Sequence, residues 1–340
     1  MDKMTHKERA LKTFEFEPTD RPAFDLMENA VWPELAEFFS KEYNLNTNEE
    51  VLDFLDSDFR WAFALPEDED KIVERETFAD DLGDRFLGDV ESVEDLDKKY
   101  NPQPEDRVIP DFKAMHDKYP NHSLIFCPLW MPGFSGACQD FGMVNALCKM
   151  ATDPEIIKAY VTKLGDFAVD VLQRGIRAGA AEYCDFYWIG DDFAGESALM
   201  LSPDMWREIF KPAIARQVRA ARDAGLRVLF HSCGAVESVY EDFIEMGINA
   251  HCGVQTSAKN MDIENLAKKY GGRFVIYGGV DAQTTLIHGT TQEVEEAVKR
   301  NINAFRETGG YVVSNSHHGL PDIKGENLVT MARTATSFQY

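Results

Sequence analysis

The sequence predicts an α/β protein built as a single (β/α)8 TIM barrel with an N-terminal helical extension, one domain spanning residues 1–340. Three observations predict it. Eight short β-rich runs recur along the chain, amphipathic stretches of helical period separate them, and glycines stand where those helices end. Alternating strands and helices imply a parallel sheet, and eight of each imply closure into a barrel. Such barrels often run past about 250 residues as one unit, so 340 residues do not demand a second domain.

In chain order, Thr5 precedes Ala10, Leu11 and Phe14 with Glu8 at the capping-box position, which predicts a short N-terminal helix. The first two strand runs are Pro22 to Met27 and Phe59 to Leu65. The tract from Pro66 to Pro110 is long, polar and acidic, and reads as small elements or a lid. Leu124 to Leu129 is the third run. A helical stretch from Pro154 to Ala178 leads to the fourth, Tyr183 to Ile189, and Ser202 to Ala224 leads to the fifth, Arg227 to Cys233. Val236 to Met246 precedes the sixth run, Ala250 to Gln255, and Ile263 to Tyr270 precedes the seventh, Phe274 to Val280. Thr291 to Thr308 precedes the last, Tyr311 to Ser314. Gly175 and Gly179, Gly225, Gly247, Gly271-Gly272 and Gly309-Gly310 punctuate the last five connections, where glycine tolerates the left-handed turn that ends a helix.

Composition narrows the partners. Hydrophobic residues make up 44% of the chain and charged residues 28%, enough to bury a large core. The net charge is −24, from 59 acidic against 35 basic side chains, and a surface of that sign repels phosphate backbones and anionic headgroups. No nucleic acid and no membrane partner is expected. The charged start, Met1 to Arg9, carries no apolar export signal, and no stretch has the length of a membrane span, so a cytoplasmic location is expected. Six cysteines lie scattered without CxxC pairs, which fits reduced thiols.

Catalytic residues in such barrels gather at the carboxyl ends of the strands. Polar residues at those ends are Glu28 and Asn29, Arg60, Asp191 and Asp192, His231 and Cys233, Cys252 and Gln255, Asp281 and Gln283, and Asn315 through His318. The sharpest pattern is Phe230-His231-Ser232-Cys233-Gly234, because residues two apart on a strand point to one side and imidazole and thiol can share an ion. The competing reading makes His231 a hydrogen-bonded barrel histidine and Cys233 a buried small residue. A third ligand has to come from His317 or His318, with Cys252 and the two aspartates behind them. Of Asp191 and Asp192 only one can face the pocket, as an acid or base; otherwise the pair caps the helix near Ser202 or meets Arg207. His317 and His318 also cannot both face inward. Tyr183, Trp188, Trp130 and Phe134 offer an aromatic wall or, as readily, core packing.

With these residues in view, the chain resembles the uroporphyrinogen decarboxylase superfamily over nearly its full length. The resemblance rests on Pro18-Thr19-Asp20-Arg21-Pro22, on Gly190-Asp191-Asp192-Phe193-Ala194-Gly195, on His231-Ser232-Cys233-Gly234, and on His318-Gly319-Leu320-Pro321-Asp322 with Glu326-Asn327. That superfamily implies a (β/α)8 barrel and two kinds of enzyme. One decarboxylates the acetate arms of uroporphyrinogen without a cofactor. The other moves methyl groups to or from the cobalt of a corrinoid protein, with zinc held by an HxCG motif and a later ligand.

The resemblance favours the methyltransferases. Met27-Glu28-Asn29-Ala30-Val31-Trp32 holds no arginine where the decarboxylases resemble one another in an arginine-rich grip, and His231-Ser232-Cys233-Gly234 matches the zinc motif. Aromatic residues near Trp188 suit a neutral or weakly charged ligand. One departure stands out: the methyltransferases show a cysteine near the end of strand eight, where this chain has Asn315-Ser316-His317-His318.

The resemblance thus implies a zinc-dependent methyltransferase acting between a small-molecule methyl donor or acceptor and a corrinoid carried by a partner protein. Zn(2+) falls to His231, Cys233 and His317, with His318 or Cys252 as substitutes for the third. Asp191, Asp192 and His318 are the catalytic candidates, and Glu28, Arg60, Trp188 and Gln255 the cofactor contacts. A homodimer is compatible with this reading. The alternatives are a cofactor-free decarboxylase drawing on Arg60 and Arg85, and a non-catalytic barrel that binds a corrinoid or tetrapyrrole.

Overall fold

A computed structural model describes residues 3–29, 31–66, 85–102, 107–128, 130, 133–317 and 320–340. The candidate His318 and residues 67–84 of the acidic tract lie outside that set. Eight strands, β1 (Ala23–Phe24), β2 (Phe59–Phe63), β3 (Ser123–Cys127), β4 (Phe186–Gly190), β5 (Arg227–His231), β6 (Ala250–Val254), β7 (Val275–Val280) and β8 (Tyr311–Asn315), form one sheet. Its neighbours are all parallel, in the order β1-β8-β7-β6-β5-β4-β3-β2. The Asp58 N–H donates to Phe24 O at 2.8 Å, which brings β2 back beside β1 and nearly closes the barrel. Each expected run coincides with or overlaps one strand.

Side-chain parity sorts the strands into two cores, as a period of two requires. Phe59, Trp61, Ile125, Phe186, Trp188, Leu229, Cys252 and Tyr277 fill the interior. Phe126, Tyr187, Ile189, Val228, Phe230 and Ile276 face outward under the helices. That alternation points His231, two after Leu229, into the barrel.

The helices follow the predicted periods with local breaks. The stretch expected from Ser202 to Ala224 divides into Pro203–Ile209 and Lys211–Asp223 at Phe210, because Pro212 has no N–H to give the preceding turn. Tyr183 ends a short helix, Ala180–Tyr183, and is not part of β4. In the acidic tract, Leu65–Pro66 pairs antiparallel with Arg107–Val108, and Val93–Lys99 is helical, the small elements expected there. No helix among the described residues is long and apolar enough to cross a membrane.

The N-terminal helix, His6–Phe14, opens with the expected capping box from Thr5 and Glu8. It seals the amino end of the barrel: Ala10 and Phe14 join the interior core, with the Phe14 ring 4.6 Å from that of Phe186. Buried Arg9 donates to Asp20 at 2.7 Å and Asp58 at 2.6 Å, and Arg21 donates to Asp58 at 2.8 Å. With that end closed, the carboxyl ends of the strands are left for chemistry.

Candidate metal centre at the barrel mouth

His231 ends β5, and the chain then bends through Ser232 and Cys233 to Gly234 at φ 83°. A Cβ on Gly234 would lie 2.7 Å from both Ala194 O and Gly195 O, so only glycine lets the loops after β4 and β5 touch. That contact carries Asp192 over the turn. Its Oδ1 accepts from the Cys233 N–H at 2.6 Å and lies 3.7 Å from His231 Nε2. Cys233 Sγ is also 3.7 Å from that nitrogen.

The three donor atoms lie within 4.8 Å of one another. Ligands at 2.0–2.3 Å from a tetrahedral zinc stand about 3.3–3.8 Å apart, so the nitrogen, sulfur and oxygen fit such an ion with small adjustment. His231 is buried, whereas Cys233 and Asp192 are half-buried and open to the mouth. Gly253 packs flat on the imidazole, where a Cβ would come within 2.5 Å of Nδ1.

Burial sets the protonation states. It pushes His231 down to about 3, helped by His317, and so keeps the imidazole in the neutral form a metal needs. It pushes the Cys233 thiol up, with Asp192 adding to the effect, and it pushes the Asp192 carboxyl up against the pull of the Cys233 N–H. A cation among these atoms reverses the last two shifts.

A second set of residues fixes the turn. His251 Nε2 donates to Ser232 O at 2.8 Å, which leaves Nδ1 to accept from the Tyr240 hydroxyl at 2.6 Å. Burial holds His251 down to about 3, so this neutral tautomer persists. Gln255 Oε1 accepts from the Gly234 N–H at 3.2 Å, while its amide nitrogen donates to Gln283 at 3.1 Å. Gln255 therefore braces the Cys233–Gly234 turn.

The other candidates separate. Asp191 turns from the cluster and accepts from the Phe134 and Ser135 N–H groups at 2.8 and 3.0 Å, capping the helix Phe134–Phe141. The helix near Ser202 is capped by Ser202 itself, and Arg207 pairs with Asp204 and Asp242. Burial pushes Asp191 up to about 6 despite those bonds. The third donor in reach is Asp192; His317 does not join the cluster, its ring centroid standing 6.4 Å from that of His231. Cys252, paired with His231 across β5 and β6, lies fully buried.

Arg60 points out of the barrel, its guanidinium bonded to Asp53 and to the carbonyls of Ser57 and Phe59. Of the expected aromatic wall, Trp188 and Trp130 stand 6.0 Å apart, each 5.9 Å from the His231 ring. Gly190 makes room for both indoles, since a Cβ there would meet them at 2.4 and 2.7 Å. Phe134 packs on Phe210 and Tyr183 beside His116, away from the mouth.

Glu28 follows β1 at φ 62° and faces Asp192 and Asp25; burial, then those two charges, push it up to about 7. Sequence reasoning missed His251 and Asp25. The former points outward from β6 next to the conspicuous Cys252. The latter is a fully buried carboxyl that accepts from Ser57, Trp61 and Tyr277. An aspartate inside an apolar strand run was the available signal.

Residues 134–338, which hold β4 to β8 and the whole donor cluster, match the family model described as Uroporphyrinogen decarboxylase (URO-D). The chain belongs to the URO-D family. The uroporphyrinogen decarboxylases of Geobacillus kaustophilus and Geobacillus thermodenitrificans are 26% and 24% identical to it over 184 residues. These alignments cover 53% of this chain and 47% of each relative, so the chain spans about half the length of the curated relatives it matches. A methyltransferase from Methanosarcina mazei shares the fold at a TM-score of 0.68, with 16% identity over 98% of this chain and 99% of that one. The barrel of this chain and that of the methyltransferase are therefore the same fold. In this URO-D member, Glu28 and Trp32 occupy the stretch where the sequence lacks arginines, and the field at Glu28 comes from other carboxylates.

Proposed function

We propose that this chain is a zinc-dependent methyltransferase that exchanges a methyl group between a small donor or acceptor and a corrinoid carried by a separate protein. The observation that carries the reading is the meeting of an imidazole nitrogen, a thiol sulfur and a carboxylate oxygen at the barrel mouth. Nitrogen with sulfur suits a borderline-soft ion, and three protein ligands leave a tetrahedral position open. Bound zinc supplies Lewis acidity, which makes a methyl-bearing heteroatom a better leaving group or an acceptor thiol more nucleophilic.

The chain's own residues supply the setting. His231 offers a neutral nitrogen, Cys233 a thiol that gives up its proton to bind, and Asp192 an anionic oxygen that also fixes the Cys233 backbone. His251 and Gln255 hold the turn in register. Trp130 and Trp188 line the imidazole and keep water from that side. In this reading His317, whose ring centroid is 6.4 Å from that of His231, would serve as the proton relay.

A porphyrinogen with many carboxylates is a poor fit. Arg60 is committed to Asp53, and the mouth presents Glu28 and Asp192. The test uses methylcobalamin as donor and a simple alkyl thiol as acceptor. The thiolate takes the methyl group, cobalt keeps the bonding pair, and the cobalamin spectrum changes. Zinc-loaded protein is expected to react, and the metal-free protein and the His231→Ala and Cys233→Ala variants are not. Carbon dioxide release from uroporphyrinogen by metal-free protein would instead favour decarboxylation.

A further inference from the structure

His251 is a fully buried imidazole on the outer side of β6, in an apolar layer. Its cross-strand neighbours are Phe230 and Ile276, and the Phe243 ring lies 6.4 Å from its own. An apolar side chain would fill that place without the cost of desolvating two ring nitrogens. A polar residue there calls for a reason beyond packing, and its hydrogen bonds supply one.

Those bonds all run in one direction. The Tyr240 hydroxyl donates to His251 Nδ1 at 2.6 Å, and His251 Nε2 donates to Ser232 O at 2.8 Å. Ser232 O shares a peptide group with the Cys233 N–H, which donates to Asp192 Oδ1 at 2.6 Å. Hydroxyl, imidazole, peptide and carboxylate therefore form one chain in which every donor points towards Asp192, and bonds aligned in this way polarise one another. Its far end is held firmly: Tyr240 is fully buried, with the rings of Tyr270 and Phe274 at 5.0 and 5.2 Å. Its near end is the carboxylate that brings oxygen to the donor cluster. A bond to an anionic acceptor is short and strong, and it fixes where Oδ1 stands.

We propose that Tyr240 and His251 are positioning residues of the metal centre, acting through the Ser232–Cys233 peptide on the carboxylate of Asp192. The inference rests on the metal-dependent reading of the site and adds that its third donor is set from behind β6. A residue that only braced the turn would matter to His231 and Cys233 equally whether or not Asp192 carried a charge. A residue acting through the chain loses its effect once the charged end is removed.

The experiment titrates cobalt(II) into the metal-free protein, with the thiolate-to-cobalt absorption band reporting binding at Cys233, and follows methylcobalamin demethylation by the zinc-loaded wild type in parallel. His251→Leu is expected to weaken cobalt binding about tenfold or more, and Tyr240→Phe about threefold or more. His251→Gln keeps an N–H for Ser232 O and should regain most of the loss. In the Asp192→Asn background the His251→Leu step should shrink to less than about threefold. Unchanged affinity in His251→Leu, no recovery in His251→Gln, or an equal loss in both backgrounds overturns the proposal. Should His251→Leu not fold, as judged by denaturant unfolding, Tyr240→Phe decides, and wild-type affinity in that variant overturns it. Wild-type protein that binds no cobalt sinks the metal centre and this inference together. Cobalt bound equally by every variant sinks this inference alone, and the expected pattern without methyl transfer sinks the parent reading alone.

Discussion

Asp191 and Asp192 are neighbours with the same side chain, and the structure gives them unrelated work. Asp191 is spent on helix Phe134–Phe141, so Asp191→Ala is expected to cost about 1–2 kcal/mol in denaturant unfolding while zinc content stays unchanged. Asp192→Asn keeps an acceptor for the Cys233 N–H but removes the anionic oxygen; zinc affinity should fall about 10–100-fold in a competition titration, with little change in stability. A result with the two roles exchanged would remove Asp192 from the cluster. The HxC spacing drew attention to His231 and Cys233 in the sequence, but the strand ends at His231, so the bend to Gly234 and not strand parity sets the thiol 3.7 Å from the imidazole. Which aspartate joins them was not legible. It depends on the approach of two loops at Gly234, a contact between residues about forty apart that no local pattern records.

At the scale of elements, the barrel was readable because each strand announces itself by β-rich composition and each helix by its period. What failed were details set by tertiary contact: β1 shrinks to Ala23–Phe24 because Glu28 and Asn29 leave extended geometry, and the helix after β4 breaks at Phe210. Gly234→Ala tests the loop contact directly. Its Cβ would strike two carbonyl oxygens and its backbone is left-handed, so a loss of roughly 1–3 kcal/mol together with impaired zinc binding is expected.

The N-terminal helix offers a test by pH. Partial burial raises Asp20, but the bonds from Arg9 and the Met4 N–H outweigh it and hold the carboxyl down to about 2, from an ordinary 3.8. A depressed carboxyl stabilises the fold above its unfolded value and loses that contribution as pH falls from about 4 towards 2. Asp20→Asn should therefore lower stability by roughly 1–2 kcal/mol at pH 7, allowing for solvent screening, and by little at pH 2. An equal loss at both pH values would show that packing, not charge, ties the helix down.

For the whole molecule, the sign of the charge is the broadest constraint. A net −24 with carboxylates at the mouth disfavours polyanionic substrates and leaves the site suited to a metal cation. Zinc that binds the folded chain and not the unfolded one should raise the unfolding free energy by about 2.7 kcal/mol at a hundredfold excess over its dissociation constant. The most direct test of the account is zinc K-edge X-ray absorption on the purified, zinc-loaded protein. One sulfur near 2.3 Å with nitrogen and oxygen near 2.0–2.1 Å, the sulfur shell vanishing in Cys233→Ser, is the predicted spectrum. A shell of oxygen and nitrogen alone in the wild type, or no retained zinc, would contradict it.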